Sequence, residues 1–135
     1  MSRKKARVAQ MQVLFQMDLN NEYSLDSLNI FLENNELEND ENEYLKTTIP
    51  VILENLEEID KIISQHLEGW SFRRLAKTDK AIIRIAVYEF LFREDIPKEV
   101  AINEAISIAK NFGNSDSYKF INGVLGSIYR NKFNV

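Results

Sequence analysis

The sequence has no cysteine and few chain-breaking residues, with two prolines and four glycines among 135 residues. Without cysteine it can form neither a disulfide framework nor a catalytic thiolate, which fits the reducing cytosol. Proline and glycine are too scarce for an all-β fold, in which turns recur about every ten residues. No apolar run reaches the roughly 18 residues of a membrane span, and no signal-peptide core follows the N-terminal charges. We therefore expect a helical protein in the cytoplasm.

The residue types that carry most metal binding and catalysis are also scarce. His66 is the only histidine, so a di-iron bundle lacks its Glu-x-x-His ligands and a zinc site would need mostly carboxylates. The glycines have neither common phosphate-loop spacing, and no nucleophile elbow occurs. Glu89 and Glu104 could act as a functional carboxylate pair, but we favour a packing role in which Arg84 or Lys110 neutralises them.

The net charge of −4 conceals two parts of opposite charge. Residues 22–68 contain 13 acidic residues and two lysines, a net charge of −11, and the rest of the chain carries +7. Because an electrostatic field acts locally, the basic part can bind a polyanion although the whole chain is acidic. The alternative, which we weigh equally on charge alone, is a pair of differently charged solvated surfaces.

Much of the basic charge lies at the start of the first predicted helix, residues 3–20, for which Ser2 is the expected N-cap. Cations there oppose the helix macrodipole, so folding gives no reason for them, whereas a bound polyanion does. Gln10 lies on the same arc of the helix as two of these cations, Arg3 and Arg7. The predicted polyanion-binding residues of this helix are Arg3, Lys4, Lys5, Arg7 and Gln10.

Two apolar stripes flank that arc. The first contains Ala6, Ala9, Val13 and Met17, and the second contains Val8, Met11, Phe15 and Leu19. One stripe must meet the core. We favour a core position for the second stripe as well, and the alternative is contact with another protein or with a second copy of this chain.

The middle of the chain is predicted to contain two helices and a loop. Ser24 caps a short helix, and the Asn/Glu-rich residues 34–42 form the loop. A long amphipathic helix covers residues 43–67, and Pro50 within it predicts a kink or a break near residues 46–50.

The second half of the chain starts after Gly69 with an apolar cluster that arginines interrupt, W-S-F-R-R-L. Thr78 is the expected cap of a helix that runs to about Arg93. This helix is apolar on nearly every side, so it should be buried at the centre.

Two more helices are predicted between residues 96 and 128, joined by a tight turn. Pro97 suits the first turn of one helix, and Gly113 suits a left-handed cap at its end. Ser115 is the expected N-cap of the other helix, which puts Asp116 in its first turn. An acid, a lysine and two aromatic residues surround this helix start: Phe112, Asp116, Lys119 and Phe120.

The last predicted helix contains two glycines, Gly123 and Gly126, and each costs about 1 kcal/mol relative to alanine. Close helix packing is the favoured explanation, and close approach of a ligand is the alternative. Phe120 lies on the Asp116 side of this helix, away from its apolar stripe, so we expect it outside the core.

Three segments closely resemble the NusB family of bacterial transcription antitermination factors. They are RLAKTDKAIIRIAVYE (74–89), IPKEVAINEA (96–105) and AKNFGNSDSYKFINGVL (109–125), and residues 7–15 are also similar. The resemblance implies an all-α fold of two small helical bundles packed roughly perpendicular around one core. We expect a single domain, 1–135, with subdomains 1–67 and 68–135.

The resemblance also implies a function without catalysis and without cofactor or metal. It implies binding to single-stranded boxA RNA together with the ribosomal protein NusE on ribosomal RNA operons. Other Nus factors and RNA polymerase are then indirect partners, no membrane is involved, and a homodimer is an open alternative. A second reading is a helical protein-interaction or dimerisation module that binds no RNA. Less favoured readings are an accessory domain of an RNA-modifying enzyme and a stand-alone helical enzyme.

Residue by residue, the resemblance carries three groups onto this chain. The basic segment falls on Arg3, Lys4, Lys5 and Arg7, and the RNA-contacting aromatics and acid fall on Phe112, Asp116 and Phe120. An acid that contacts the protein partner falls on Asp79. To the RNA set we add Gln10 and Lys119, and to the protein-partner set we add Phe15.

Overall fold

The computed structural model describes residues 3–133, and within that range the chain is helical apart from turns and short connections. The predicted all-α class is therefore confirmed. The expected N-cap Ser2 lies outside the described residues. Between residues 3 and 133 no helix is both long and apolar enough to cross a bilayer. The chain divides into two compact units, Met1–Leu56 and Glu57–Val135.

The first unit contains three helices, α1 (Arg3–Asn20), α2 (Leu25–Asn34) and α3 (Asn39–Glu54). The backbone N–H of Ser27 donates to Ser24 Oγ over 3.1 Å, so the predicted N-cap of α2 is confirmed. Since α3 already starts at Asn39, the predicted loop is shorter than expected. The buried apolar residues of the first unit include Ala6, Ala9, Val13, Leu14, Met17, Leu28, Phe31, Leu45, Ile49 and Ile52.

Pro50 does not break its helix. Of the two predicted alternatives near residues 46–50, a kink or a break, the break does not occur, because α3 continues to Glu54 and the interruption comes at Asn55. There the side-chain amide donates to the Val51 carbonyl over 2.8 Å. The carbonyl that lacks a proline N–H partner belongs to the exposed Lys46, where water can take the place of that N–H.

The second unit contains most of α4 (Leu56–Ser64) and all of α5 (Lys77–Phe92), α6 (Lys98–Phe112) and α7 (Ser117–Ile128). A 3-10 turn covers Phe72–Arg74, and one turn of π-helix, Tyr129–Phe133, follows α7. Every residue of α5 from Asp79 to Phe90 is buried, so the predicted central helix is confirmed.

An ion pair ties α4 to α5. Arg84 donates from Nε and Nη2 to the two carboxylate oxygens of Asp60, both over 2.8 Å, and only 4% of its side chain is exposed. Both partners of this ion pair lie in the second unit. The predicted subdomain boundary after residue 67 assigns α4 to the first half of the chain, and it stays a prediction.

Two helix starts differ from the expected ones. α5 begins at Lys77, so Thr78 lies inside its first turn and does not cap it. α7 begins at Ser117 and not after Ser115, because the turn before it uses other hydrogen bonds.

Candidate nucleic-acid interface

The turn between α6 and α7 is held by side chains that accept from its backbone. Asn114 Oδ1 accepts from the Asp116 N–H over 2.9 Å, and Ser117 Oγ accepts from the Asn114 N–H over 3.0 Å. Asp116 occupies the N-cap position but makes no capping hydrogen bond with its side chain. Its carboxylate is exposed and does not cap the helix, so it is accessible to a ligand.

Gly113 shapes the same turn by its lack of a side chain. Its backbone is extended, with φ −88° and ψ −176°, so the predicted left-handed cap is wrong. A Cβ at this position would lie 2.5 Å from the Ser117 side chain and 2.9 Å from the Ala109 carbonyl oxygen. Glycine is needed here because the end of α6 and the start of α7 approach closely.

A cavity of about 500 Å³ opens beside this turn, and we call it the Asp79 cavity. The beginnings of α5 and α7 and the chain before α5 supply its walls. Its lining residues are Trp70, Arg74, Leu75, Ala76, Asp79, Asn114, Ser115, Asp116, Ser117 and Phe120. Three predicted site residues, two carboxylates and an aromatic ring, thus line one cavity.

Asp79 is the buried acid of this cavity. The residue is 6% exposed, and among the described residues its Oδ1 has no hydrogen-bond partner. Burial raises the pKa of this carboxyl above its ordinary value, and a hydrogen bond from the Ser117 hydroxyl opposes the rise. The cavity therefore holds an acceptor oxygen that the second unit itself does not satisfy.

Phe120 does not pack into the core and instead contacts a second aromatic residue. Its ring centroid lies 5.5 Å from that of Trp70, with the ring planes 60° apart. Trp70 is 57% exposed. Because the two rings are in contact, we call Trp70 and Phe120 the aromatic pair. The prediction that Phe120 lies outside the core is confirmed. Trp70 was missed as a site residue, although its position among arginines was a usable signal.

The remaining predicted residues of the second unit lie outside the Asp79 cavity. Phe112, at the end of α6, is 46% exposed. Lys119 is also exposed, and its Nζ lies 5.9 Å from the Tyr118 ring centroid. Both side chains stand on the surface near the start of α7, where a ligand can reach them.

In the first unit, three cations at the start of α1 are exposed, and we call them the basic cluster: Arg3, Lys4 and Lys5. Arg3 Nη1 donates to the Tyr44 hydroxyl over 3.4 Å, and its guanidinium carbon lies 5.0 Å from that ring's centroid. These contacts hold the Arg3 side chain against the Tyr44 ring, where it remains exposed on the surface.

Two other predicted residues of α1 are not on this surface. Gln10 is completely buried, and its Nε2 donates to Thr48 Oγ1 over 2.9 Å, which joins α1 to α3. Arg7 is 4% exposed. Both residues are therefore buried and do not belong to the exposed surface at the start of α1, and their role in RNA binding stays a prediction. Phe15, predicted to contact a protein, is half-buried.

Comparison with known proteins gives one consistent answer. The NusB family model matches residues 4–130. A transcription antitermination protein NusB of Clostridium perfringens is 39% identical over 133 residues, which cover 97% of this chain and 98% of the relative. The solved structure of T. maritima NusB has 40% identity and a TM-score of 0.86, covering 97% of this chain and 92% of that one.

A second solved structure holds a complex. It contains the antitermination factors NusB and NusE with double-stranded RNA. The matched chain has 30% identity and a TM-score of 0.82, with 95% of this chain and 96% of that chain covered. This chain therefore belongs to the NusB family of transcription antitermination proteins, which are not enzymes.

Proposed function

We propose that this chain binds single-stranded boxA RNA together with the ribosomal protein NusE, in the cytoplasm, during transcription of ribosomal RNA operons. Other Nus factors and RNA polymerase are then reached indirectly, through the assembled complex. Family membership supports the antitermination role, and the related complex of NusB, NusE and RNA supports a joint mode of binding.

One observation carries the RNA-binding part of this proposal, namely that Phe120 lines the same cavity as Asp116, whose exposed carboxylate makes no capping hydrogen bond. Bases of single-stranded RNA stack on aromatic rings, and polar side chains read their edges. Phe120 supplies the ring. The Asp116 carboxylate accepts hydrogen bonds from base amino or imino groups, and the exposed Phe112 and Lys119 extend this surface.

The basic cluster supplies the sequence-independent part of the affinity. Exposed cations neutralise phosphates and release counterions, which makes binding weaken as salt rises. Lys4 and Lys5 stand on the surface of α1, and Arg3 is held beside the Tyr44 ring. Arg7 is buried and so is not one of these exposed cations, and its predicted contact with RNA stays a prediction.

NusE is proposed to dock with Asp79. A buried carboxylate with an unpartnered oxygen is costly, and a cationic side chain entering the Asp79 cavity would offset that cost. Phe15, half-buried on α1, is the second proposed protein contact.

The test is fluorescence anisotropy with boxA RNA and a scrambled RNA, at two salt concentrations, with and without NusE. We expect selective, salt-sensitive binding that tightens with NusE. Phe120→Ala should weaken boxA binding by about 1–3 kcal/mol, while its far-ultraviolet circular dichroism stays unchanged. Phe92→Ala is the matched control, because Phe92 is an aromatic residue of the same unit, 40% exposed, outside the Asp79 cavity.

Two outcomes would contradict the proposal. Equal or absent binding of both RNAs, even with NusE present, would leave a protein-interaction or dimerisation module. Unchanged boxA affinity of a folded Phe120→Ala variant would remove the main base contact.

A further inference from the structure

A second cavity is also lined by the aromatic pair. It measures about 290 Å³, and we call it the Gly123 hollow. Its lining residues are His66, Glu68, Trp70, Lys119, Phe120, Gly123, Val124, Ser127 and Arg130. Trp70 and Phe120 line both cavities, so the aromatic pair connects them.

We propose that the RNA continues past Phe120 onto Trp70, with one unstacked base seated in the Gly123 hollow. This inference rests on the RNA-binding function proposed above and extends the RNA path beyond it. The bound class is a single-stranded nucleotide, with its base in the hollow and its phosphates at the rim.

The exposure of Trp70 is the first argument. A tryptophan that is 57% exposed leaves a large apolar ring in water, and the molecule gains little from it. Gly69, just before it, has a left-handed φ of 73°, which side chains rarely adopt, so the chain turns sharply before Trp70. A nucleobase stacked on this ring would remove the face of the base and the face of the Trp70 ring from water.

Gly123 is the second argument. Glycine is among the least favourable residues inside a helix, and close packing was the favoured reason for its presence in α7. The structure rejects that reason, because a Cβ built on Gly123 meets no atom within 4 Å. The open space above Gly123 belongs to the hollow, so a side chain is missing where the ligand would approach the helix backbone.

The charges around the hollow are the third argument. Lys119 and Arg130 are exposed cations of its lining, suited to phosphates. Glu68 adds an acceptor for a base amino group. His66 Nδ1 donates to the Ile62 carbonyl over 2.8 Å, which fixes the imidazole ring in the wall.

The first experiment uses the intrinsic fluorescence of Trp70, which is the only tryptophan of the chain. The chain is titrated with boxA RNA while tryptophan emission and the anisotropy of a labelled RNA are both recorded. We expect the emission to fall, with the same midpoint as the anisotropy. A rise in anisotropy with unchanged emission would overturn the inference, because Trp70 would then lie away from the RNA.

The second experiment uses Gly123→Ala, for which stability and binding should change in opposite directions. The added methyl group raises helix propensity without a clash, so Tm should rise. The same group enters the hollow, so boxA affinity should fall about fivefold or more, the loss of roughly one stacked base. Asn122→Ala is the matched control, since Asn122 is exposed on α7 and lines neither cavity.

The controls separate this inference from the proposed function. If the wild-type chain binds no RNA at all, with or without NusE, the proposed function fails and this inference fails with it. If Phe120→Ala weakens RNA binding while Trp70→Ala and Gly123→Ala do not, only the extended path is wrong. If Trp70→Ala weakens NusE binding and leaves RNA binding unchanged, the hollow belongs to the protein partner, which also overturns the inference.

Discussion

Replacing Asp79 with asparagine should stabilise the second unit at neutral pH. The residue is 6% exposed and its Oδ1 has no partner among the described residues, so the ionised carboxyl is held in a poorly solvating place. Asparagine has nearly the same shape, and its side-chain oxygen can still accept from the Ser117 hydroxyl. Asparagine removes the buried charge but still leaves one unpartnered polar group at the Oδ1 position, so we expect a gain of no more than about 1 kcal/mol.

The pH dependence of this gain has a definite sign. Burial raises the pKa of Asp79 above its ordinary value of 3.8, so the folded chain holds this proton at pH values where the unfolded chain has lost it. The free energy of unfolding of the wild type therefore decreases as pH rises from 3.8 through the raised pKa. The advantage of Asp79→Asn should be full above that pKa and should shrink as pH falls towards 3.8.

Urea unfolding at a series of pH values from neutral towards acid measures this difference directly. The midpoint should shift while the slope with urea stays constant, since the change concerns one side chain and not the exposed surface. Asp116→Asn is the matched control, because that carboxylate is exposed and should show little effect. Loss of stability in Asp79→Asn at neutral pH, or a gain that does not change with pH, would refute the reasoning.

Three further predictions follow from the same structure. Asp60→Ala should destabilise the chain by roughly 3–5 kcal/mol in urea unfolding, because it leaves the Arg84 guanidinium buried without its carboxylate; Asp60→Asn should lose less. Gly113→Ala should lower Tm, at a cost of about 1–3 kcal/mol, since the new Cβ would collide with Ser117. Glutamine at all three positions of the basic cluster should reduce the salt slope of RNA binding by roughly 2 units, and an unchanged slope would exclude the cluster.

Periodicity and composition were enough to predict the fold class and its buried centre. α5 is apolar on nearly every side, and it is buried from Asp79 to Phe90. The helix ends were harder, because they depend on local competition between hydrogen bonds. Ser115 has the right chemistry for an N-cap, but Asn114 and Ser117 satisfy the turn, and α7 starts at Ser117, one residue later than predicted.

The candidate site shows where sequence reasoning stops. Gln10 shares a helical arc with exposed cations, yet its amide is used by Thr48 on α3, a partner 38 residues away that no local pattern reveals. Trp70 lies in an apolar cluster that arginines interrupt, and the sequence does not show that it is exposed and contacts Phe120 from a distant part of the chain. Both differences come from tertiary contacts, which alone decide whether a side chain faces water.

Three features of the second unit reduce its stability, and all three face the two cavities. Asp79 holds an unpartnered buried oxygen, Trp70 exposes a large ring, and Gly123 weakens a helix in which alanine would fit. Natural proteins commonly carry such costs, so it is their grouping around the two cavities, and not their mere presence, that indicates a ligand. Because both cavities share the aromatic pair, the proposed RNA path accounts for Trp70 and Gly123 together, and the proposed NusE contact beside it accounts for Asp79.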